Sequence, residues 1–271
     1  MTKERVKELR EKGYSYTEIA KEVGKSRKFA WKYGHKIKFS KEGKKRYREK
    51  IGGVLYQIKL QKPFLTPEKV RVIGHSLFDG MLYNNKYHYL VKYINSSRQL
   101  IDQFVKDVDK VYGLKRYYLE TIPGKNMITY KVYFKSKLFY EDLKRYFKSY
   151  STTKSFIKIP LEIINSNKEV QIEFIRSFFE DEGSISSNGR IMGDLKNLNI
   201  IRQILSMLNK FGLHFKLCSY RDYTGITYKI YLLKTLENLK LFYKLRLFDK
   251  SIITNGINMH KKKIEILKEQ Q

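Results

Sequence analysis

Between residues 70 and 250 the chain is written twice. ITYKVYF at 128 to 134 and ITYKIYL at 226 to 232 agree at four consecutive positions and then by residue type. VYGLK at 111 to 115 faces KFGLH at 210 to 214, and SLFDGML around Asp79 faces FFEDEGSI around Glu182. The three blocks recur in the same order at offsets of 98, 99 and 103 residues. A duplication of this length requires two units of like topology, so one set of elements has to account for both copies.

Each copy opens with an apolar helix ending in an acid and a glycine. Short strands follow, expected at Met81 to Tyr83 and His88 to Ile94 in the first copy. Next comes an amphipathic helix carrying Ile101, Phe104, Val105, Val108 and Val111, or Ile201, Ile204, Leu205, Leu208 and Phe211 in the second copy. Two more strands and a closing helix complete αββαββα, twice. The fold class is α+β, in halves spanning 70–150 and 151–271. In the strand 128 to 134, alternation places Ile128, Tyr130, Val132 and Phe134 on one face and Thr129, Lys131 and Tyr133 on the other; Thr227, Lys229 and Tyr231 repeat the polar face. His214, Lys216 and Tyr220 alternate with Leu213, Phe215 and Leu217 and join that surface.

The first 38 residues read as a separate small all-α domain. Val6 and Leu9 lie on one side of a charged stretch that Gly13 ends. Ser15 with Glu18 forms a capping box, Ile19, Ala20 and Val23 supply an apolar stripe, Gly24 suits a turn with positive φ, and Ser26 caps a third helix. GYSYTEIAKEVGKSRKFAWKYG resembles the helix-turn-helix of small DNA-binding domains, which implies a third helix in the major groove with Arg27, Lys28 and Lys32 reaching bases or phosphates. Trp31 is expected to pack inside this domain. Residues 39–69, strongly basic and containing Gly52, Gly53, Pro63 and Pro67, read as a linker.

A surplus of 56 Lys and Arg over 27 Asp and Glu, net +29, points to a phosphate backbone as partner. The single Cys218 excludes an intramolecular disulfide framework and a multi-cysteine zinc site, and fits a reducing intracellular setting, cytoplasmic or nucleoid-associated. No stretch is long and apolar enough for a membrane helix, and the N-terminus lacks a signal peptide's apolar core.

An acid in the last turn of a helix opposes the helix dipole at a cost of a few tenths to about 1 kcal/mol. Its recurrence at equivalent places, Asp79 and Glu182, suggests a compensating cation, and oxygen-only ligands favour Mg²⁺ over zinc or copper. VIGHSLFDG at 72 to 80 and IRSFFEDEG at 175 to 183 resemble two degenerate copies of the signature of the LAGLIDADG homing endonucleases. The resemblance covers roughly residues 70 to 250. It implies a pseudo-symmetric saddle in which the two signature helices pack side by side, their last acids meet at the floor and the two sheets form the arms.

Carried over by position, the catalytic, metal-binding acids are Asp79 and Glu182, each followed by the family's glycine, Gly80 and Gly183. The small residue that lets the helices approach falls on Gly74 and Ser177. Leu77, Phe78, Asp181, Ile73 and Arg176 depart from the signature. Lys135 and Lys234, one register out of step, resemble the family's active-site lysine. Lys131, Tyr133, Lys229, Tyr231 and Lys216 are expected to contact DNA, and His75 to be a packed or hydrogen-bonded interface residue.

The expected activity is double-strand DNA cleavage by a monomer at a long asymmetric site, with Mg²⁺ or Mn²⁺. The alternative is the same saddle without cleavage, as a DNA-binding regulator or an RNA-splicing maturase, and RNA binding stays open.

Overall fold

The computed structural model describes residues 2–52, 65–85, 88–186, 188–254 and 258–269. The chain divides into two compact units, Met1–Lys59 and Leu60–Gln271.

In the first unit, α1 (Thr2–Glu11), α2 (Tyr16–Glu22) and α3 (Arg27–Gly34) enclose a core of Val6, Leu9, Ile19 and Ala30. Ser15 and Glu18 close the capping box, Ser26 Oγ accepts from Phe29 N–H, and Gly24 takes φ +63° in the turn between α2 and α3. Trp31 departs from expectation: it is 53% exposed and stacks on His35 with ring centroids 4.5 Å apart. The inward positions of α3 are taken by Ala30 and Gly34, which leaves Trp31 on the outer face with Arg27, Lys28 and Lys32.

Part of the stretch read as a linker is helix α4 (Lys41–Gly52). Its Gly43 packs on Gly13 so closely that a Cβ on either would collide with the other's backbone, and Ser40 N–H donates to the Glu11 carbonyl at 3.0 Å. Gly53 and Pro63 lie outside the described residues. Pro67 belongs to no linker: it starts the next helix, with Thr66 as N-cap.

The second unit carries the duplication. Its first half runs α5 (Pro67–Phe78), β1 (Gly80–Asn84), β2 (Tyr89–Asn95), α6 (Arg98–Tyr112), β3 (Tyr118–Pro123), β4 (Ile128–Lys135) and α7 (Lys137–Lys144). After a short α8 (Leu161–Ile164), the second half runs α9 (Lys168–Glu182), β5 (Gly183–Ile185), β6 (Ile191–Leu195), α10 (Leu198–Lys210), β7 (Phe215–Asp222), β8 (Gly225–Leu232) and α11 (Leu236–Lys244), and α12 (Lys263–Glu269) follows. The sheets are antiparallel with orders β1-β2-β4-β3 and β5-β6-β8-β7, the same topology twice.

Alternation sorts the faces of each sheet. Val91, Tyr93, Val132 and Phe134 are buried against Leu100, Ile101, Phe104 and Val108 of α6, while Lys92, Lys131 and Tyr133 share the opposite face. Ile128, expected on the inner face, is 47% exposed because it stands at the end of β4 farthest from the core. β3 begins at Tyr118, several residues after Gly113, whereas β7 begins soon after Gly212; this explains why residues 114 to 120 do not alternate cleanly.

Candidate active site and nucleic-acid interface

Helices α5 and α9 pack side by side through small residues. A Cβ built on Gly74 would sit 1.9 Å from Ser177 Oγ, so only glycine permits this approach. Ser177 is fully buried and satisfies its hydroxyl on the Phe174 carbonyl of its own helix at 2.8 Å. The bulky departure Phe78 is absorbed by aromatic packing on Phe174 and Phe178, at centroid distances of 5.6 and 5.5 Å. Arg71 ties three helices together, with hydrogen bonds of 2.8 Å to each carboxylate oxygen of Asp107 on α6 and 3.0 Å to Glu173 on α9.

The two acids stand where both helices turn into strands. Asp79 is the C-cap of α5 and Glu182 the last residue of α9; Gly80 and Gly183 begin β1 and β5. A side chain on Gly80 would strike Ser76 backbone, and one on Gly183 the Phe179 carbonyl and the Phe248 ring, so each turn requires its glycine. Asn95 Nδ2 donates to Asp79 Oδ2 at 3.0 Å and to Asp181 Oδ1 at 3.2 Å. Asp181 also accepts from Tyr93 Oη at 2.8 Å and lies 2.8 Å from His75 Nδ1. His75 is therefore an interface residue buried between the halves, as the sequence suggests. Glu180 accepts the Lys250 N–H at 3.0 Å.

Crowding acids into a buried place raises their pKa values. Burial, then the Asp181 charge, pushes Asp79 up to about 8. Burial, then Asp79, Asp181 and Asp194, holds Glu182 well above the usual carboxylate range. Burial lifts Glu180 to about 7. Burial alone would lower His75, but the Asp181 carboxylate on its ring reverses the sign and the net shift is upward. Lys263, from α12, donates to the Gly183 carbonyl at 2.6 Å; burial pulls it down to about 8 against the attraction of Asp181, Glu180, Asp79 and Glu182. Among the described residues neither Asp79 nor Glu182 has an ion-pair partner.

Strand register locates the lysines. The Ile94 N–H donates to the Asp79 carbonyl, and Ile94 stands opposite Lys131 on β4. Gly183 stands opposite Gly193, and the next residue, Asp194, is opposite Lys229. Lys131 and Lys229, in step between the copies, therefore lie at the acid end of each sheet. Lys135 and Lys234 do not: Lys135 pairs with Leu90, four residues farther along β4 and roughly 13 Å away at strand rise. Lys234 lies beyond the end of β8 and donates to the Asn188 carbonyl at 2.9 Å.

The outer sheet faces carry cation and tyrosine clusters. Tyr118 stacks on Tyr133 at 4.8 Å with Lys135 Nζ 4.6 Å from the Tyr118 ring. On the other sheet Lys216, Tyr231, Arg190, Asn188 and Lys234 surround one open cavity of about 430 Å³. Lys131 pairs with Glu120, and Lys229 Nζ lies 4.8 Å from the Tyr220 ring. Arg27, Lys28 and Lys32 are exposed on α3 of the first unit.

I-DmoI, a homing endonuclease solved in complex with DNA and calcium, superposes with a TM-score of 0.51 at 19% identity, over 75% of this chain and 97% of that one. The chain has the LAGLIDADG fold. A second I-DmoI structure, in complex with DNA and manganese, gives a TM-score of 0.50 at 21% identity, over 67% of this chain and 96% of that one. No protein-family model matches the chain, and no curated protein matches it. Within the LAGLIDADG fold of this chain, Asn95, Lys263 and the pairing of His75 with Asp181 stand beside the two acids, and sequence reading did not single them out. Asp181 was visible only as a departure from the signature, and Lys263 lies beyond the three blocks that mark the duplication.

Proposed function

We propose that the chain is a double-strand DNA endonuclease in which Asp79 and Glu182 hold divalent metal, Mg²⁺ or Mn²⁺, at the floor between the two sheets. The supporting observation is the pair itself: two mostly buried carboxylates at equivalent helix ends, raised in pKa by burial and by the neighbouring Asp181 charge and without an ion-pair partner among the described residues. Their oxygens suit a hard cation. The same floor contains the buried Ser251 Oγ, which has no hydrogen-bond partner among the described residues. Among the described residues no group of three or more His, Cys, Asp or Glu side chains could hold a metal ion, so phosphate and water oxygens are the expected remaining ligands.

Bound divalent metal supplies charge neutralisation on the scissile phosphate and lowers the pKa of an attacking water. The chain's own residues do the rest. Asn95 fixes the Asp79 carboxylate, and the His75–Asp181 pair locks α5 to α9 so that the acids stay in place. Lys131 and Lys229, at the acid end of each sheet, reach the phosphates flanking the cut. Tyr133, Tyr231, Lys216, Lys135 and Lys234 follow the groove farther out, where they hold the backbone and read base edges.

In this reading one chain supplies both halves and acts as a monomer on a long asymmetric duplex site, in an intracellular setting. The first unit adds a helix-turn-helix contact through Arg27, Lys28 and Lys32. Among the described residues no helix is long and apolar enough to cross a membrane. The test is cleavage of a duplex DNA library with Mg²⁺ by the native chain, Asp79→Asn and Glu182→Gln. Metal-dependent double-strand cuts by the native chain alone support the reading. Binding without cuts by any of the three leaves a DNA-binding protein.

A further inference from the structure

The segment after Phe248 docks on the first half, where Ser97 Oγ donates to the Lys250 carbonyl at 2.7 Å. It passes through an isolated bridge between Ile252 and Lys262 into α12, and it brings buried polar groups to the acids. Lys263 is the clasp: its side chain donates to the Gly183 carbonyl at 2.6 Å and its backbone N–H to the Ser251 carbonyl at 3.0 Å. Ser251 is 2% exposed, and its Oγ has no hydrogen-bond partner among the described residues. Ser251 and Lys263 line a cavity of about 210 Å³ together with Asp79, Asn95, Asp181 and Gly183. Asp79 is among the residues that wall it and Glu182 is not, while the Lys263 ammonium acts on both acids.

A buried hydroxyl left without a partner opposes folding, and the neighbouring backbone bonds hold it in that state. Its chemistry suits an anionic oxygen: one rotatable O–H donor beside an ammonium and a carboxylate that can share a cation with the same group. We propose that Ser251 belongs to the Asp79 reaction centre, where its hydroxyl donates a hydrogen bond to an oxygen of the phosphodiester cut there. The cut of one DNA strand then depends on the Ser251 hydroxyl and the cut of the other does not. The inference rests on the endonuclease reading above.

The experiment uses the full chain, Mg²⁺ and a duplex that the native chain cuts, with the two strands carrying different labels. Ser251→Ala is expected to slow scission of the strand whose cutting Asp79→Asn also impairs, by about tenfold or more. The strand impaired by Glu182→Gln stays within about twofold of native. Melting of Ser251→Ala without DNA and metal is expected at or above the native temperature, since the variant deletes an unsatisfied group, whereas a purely structural serine would lower it. Equal slowing of both strands, slowing of the Glu182 strand, no slowing, or a lowered melting temperature would each overturn the proposal. A native chain that cuts no duplex overturns the endonuclease reading itself and this inference with it; a native chain that cuts while Ser251→Ala is unselective overturns this inference alone.

Discussion

At the scale of single residues, Asp79 connects stability, pH and metal. Its carboxyl titrates near 8 in the folded chain and near 4 when unfolded, so between those values the folded chain keeps a proton that the unfolded chain has released. The stability this group contributes is present below the unfolded value and lost as pH rises through about 8. Asp79→Asn removes that loss: in metal-free buffer at about pH 9 the variant should be more stable than native by about 2–5 kcal/mol, measured by urea unfolding, with little difference at about pH 4. A variant no more stable than native at high pH contradicts the buried-acid account. Metal must displace the same proton, so cleavage at fixed Mg²⁺ should rise with pH and level off near 8. A rate independent of pH between about 6 and 8 would show that the acids are already ionised. The two acids were legible in the sequence because the duplication set them at matching places. The contacts around them were not, because His75 meets Asp181 and Lys263 meets Gly183 only after folding brings distant segments together.

At the scale of elements, the α5–α9 contact decides whether the acids meet. Gly74 leaves no room for a larger residue opposite Ser177. Gly74→Val should cost about 1–3 kcal/mol in urea unfolding, and Ser177→Gly in the same chain should recover part of it because the two side chains compete for one space. Additive effects of the two changes would contradict direct contact. Arg71→Met should cost about 3–5 kcal/mol, since it leaves the buried Asp107 carboxylate without its cation and takes one of two arginine partners from Glu173; a loss within about 0.5 kcal/mol would contradict the three-helix tie. Helix caps and strand alternation were readable from local pattern, and the order of elements follows it closely. Register across strands was not. Lys135 and Lys234 look like the end of the last strand in a one-dimensional reading, whereas pairing of β4 with β2 and β8 with β6 puts Lys131 and Lys229 at the acids instead. The outward-facing Trp31 has a similar cause, since aromatic character favours burial but the 3.6-residue period of α3 places that position outside.

At the scale of the whole molecule, a net charge of +29 and two sheets whose outer faces carry lysine and tyrosine set the terms of partner binding. Affinity for duplex DNA should fall by about 10³-fold or more between 50 and 200 mM salt, as expected for roughly six or more phosphate contacts. Changing Arg27, Lys28 and Lys32 together to Ala should reduce the slope of log K against log salt by about three if the first unit contacts phosphates, and leave it unchanged if it does not. The central claim is that Asp79 and Glu182 cut DNA, and strand-resolved cleavage with Mg²⁺ tests it most directly. The account predicts that the native chain breaks both strands of a selected duplex, that Asp79→Asn and Glu182→Gln lose at least about 10²-fold in double-strand breakage, and that both variants keep native affinity for the duplex. Double-strand cutting by either variant at the native rate, or no metal-dependent cutting by the native chain, would contradict it.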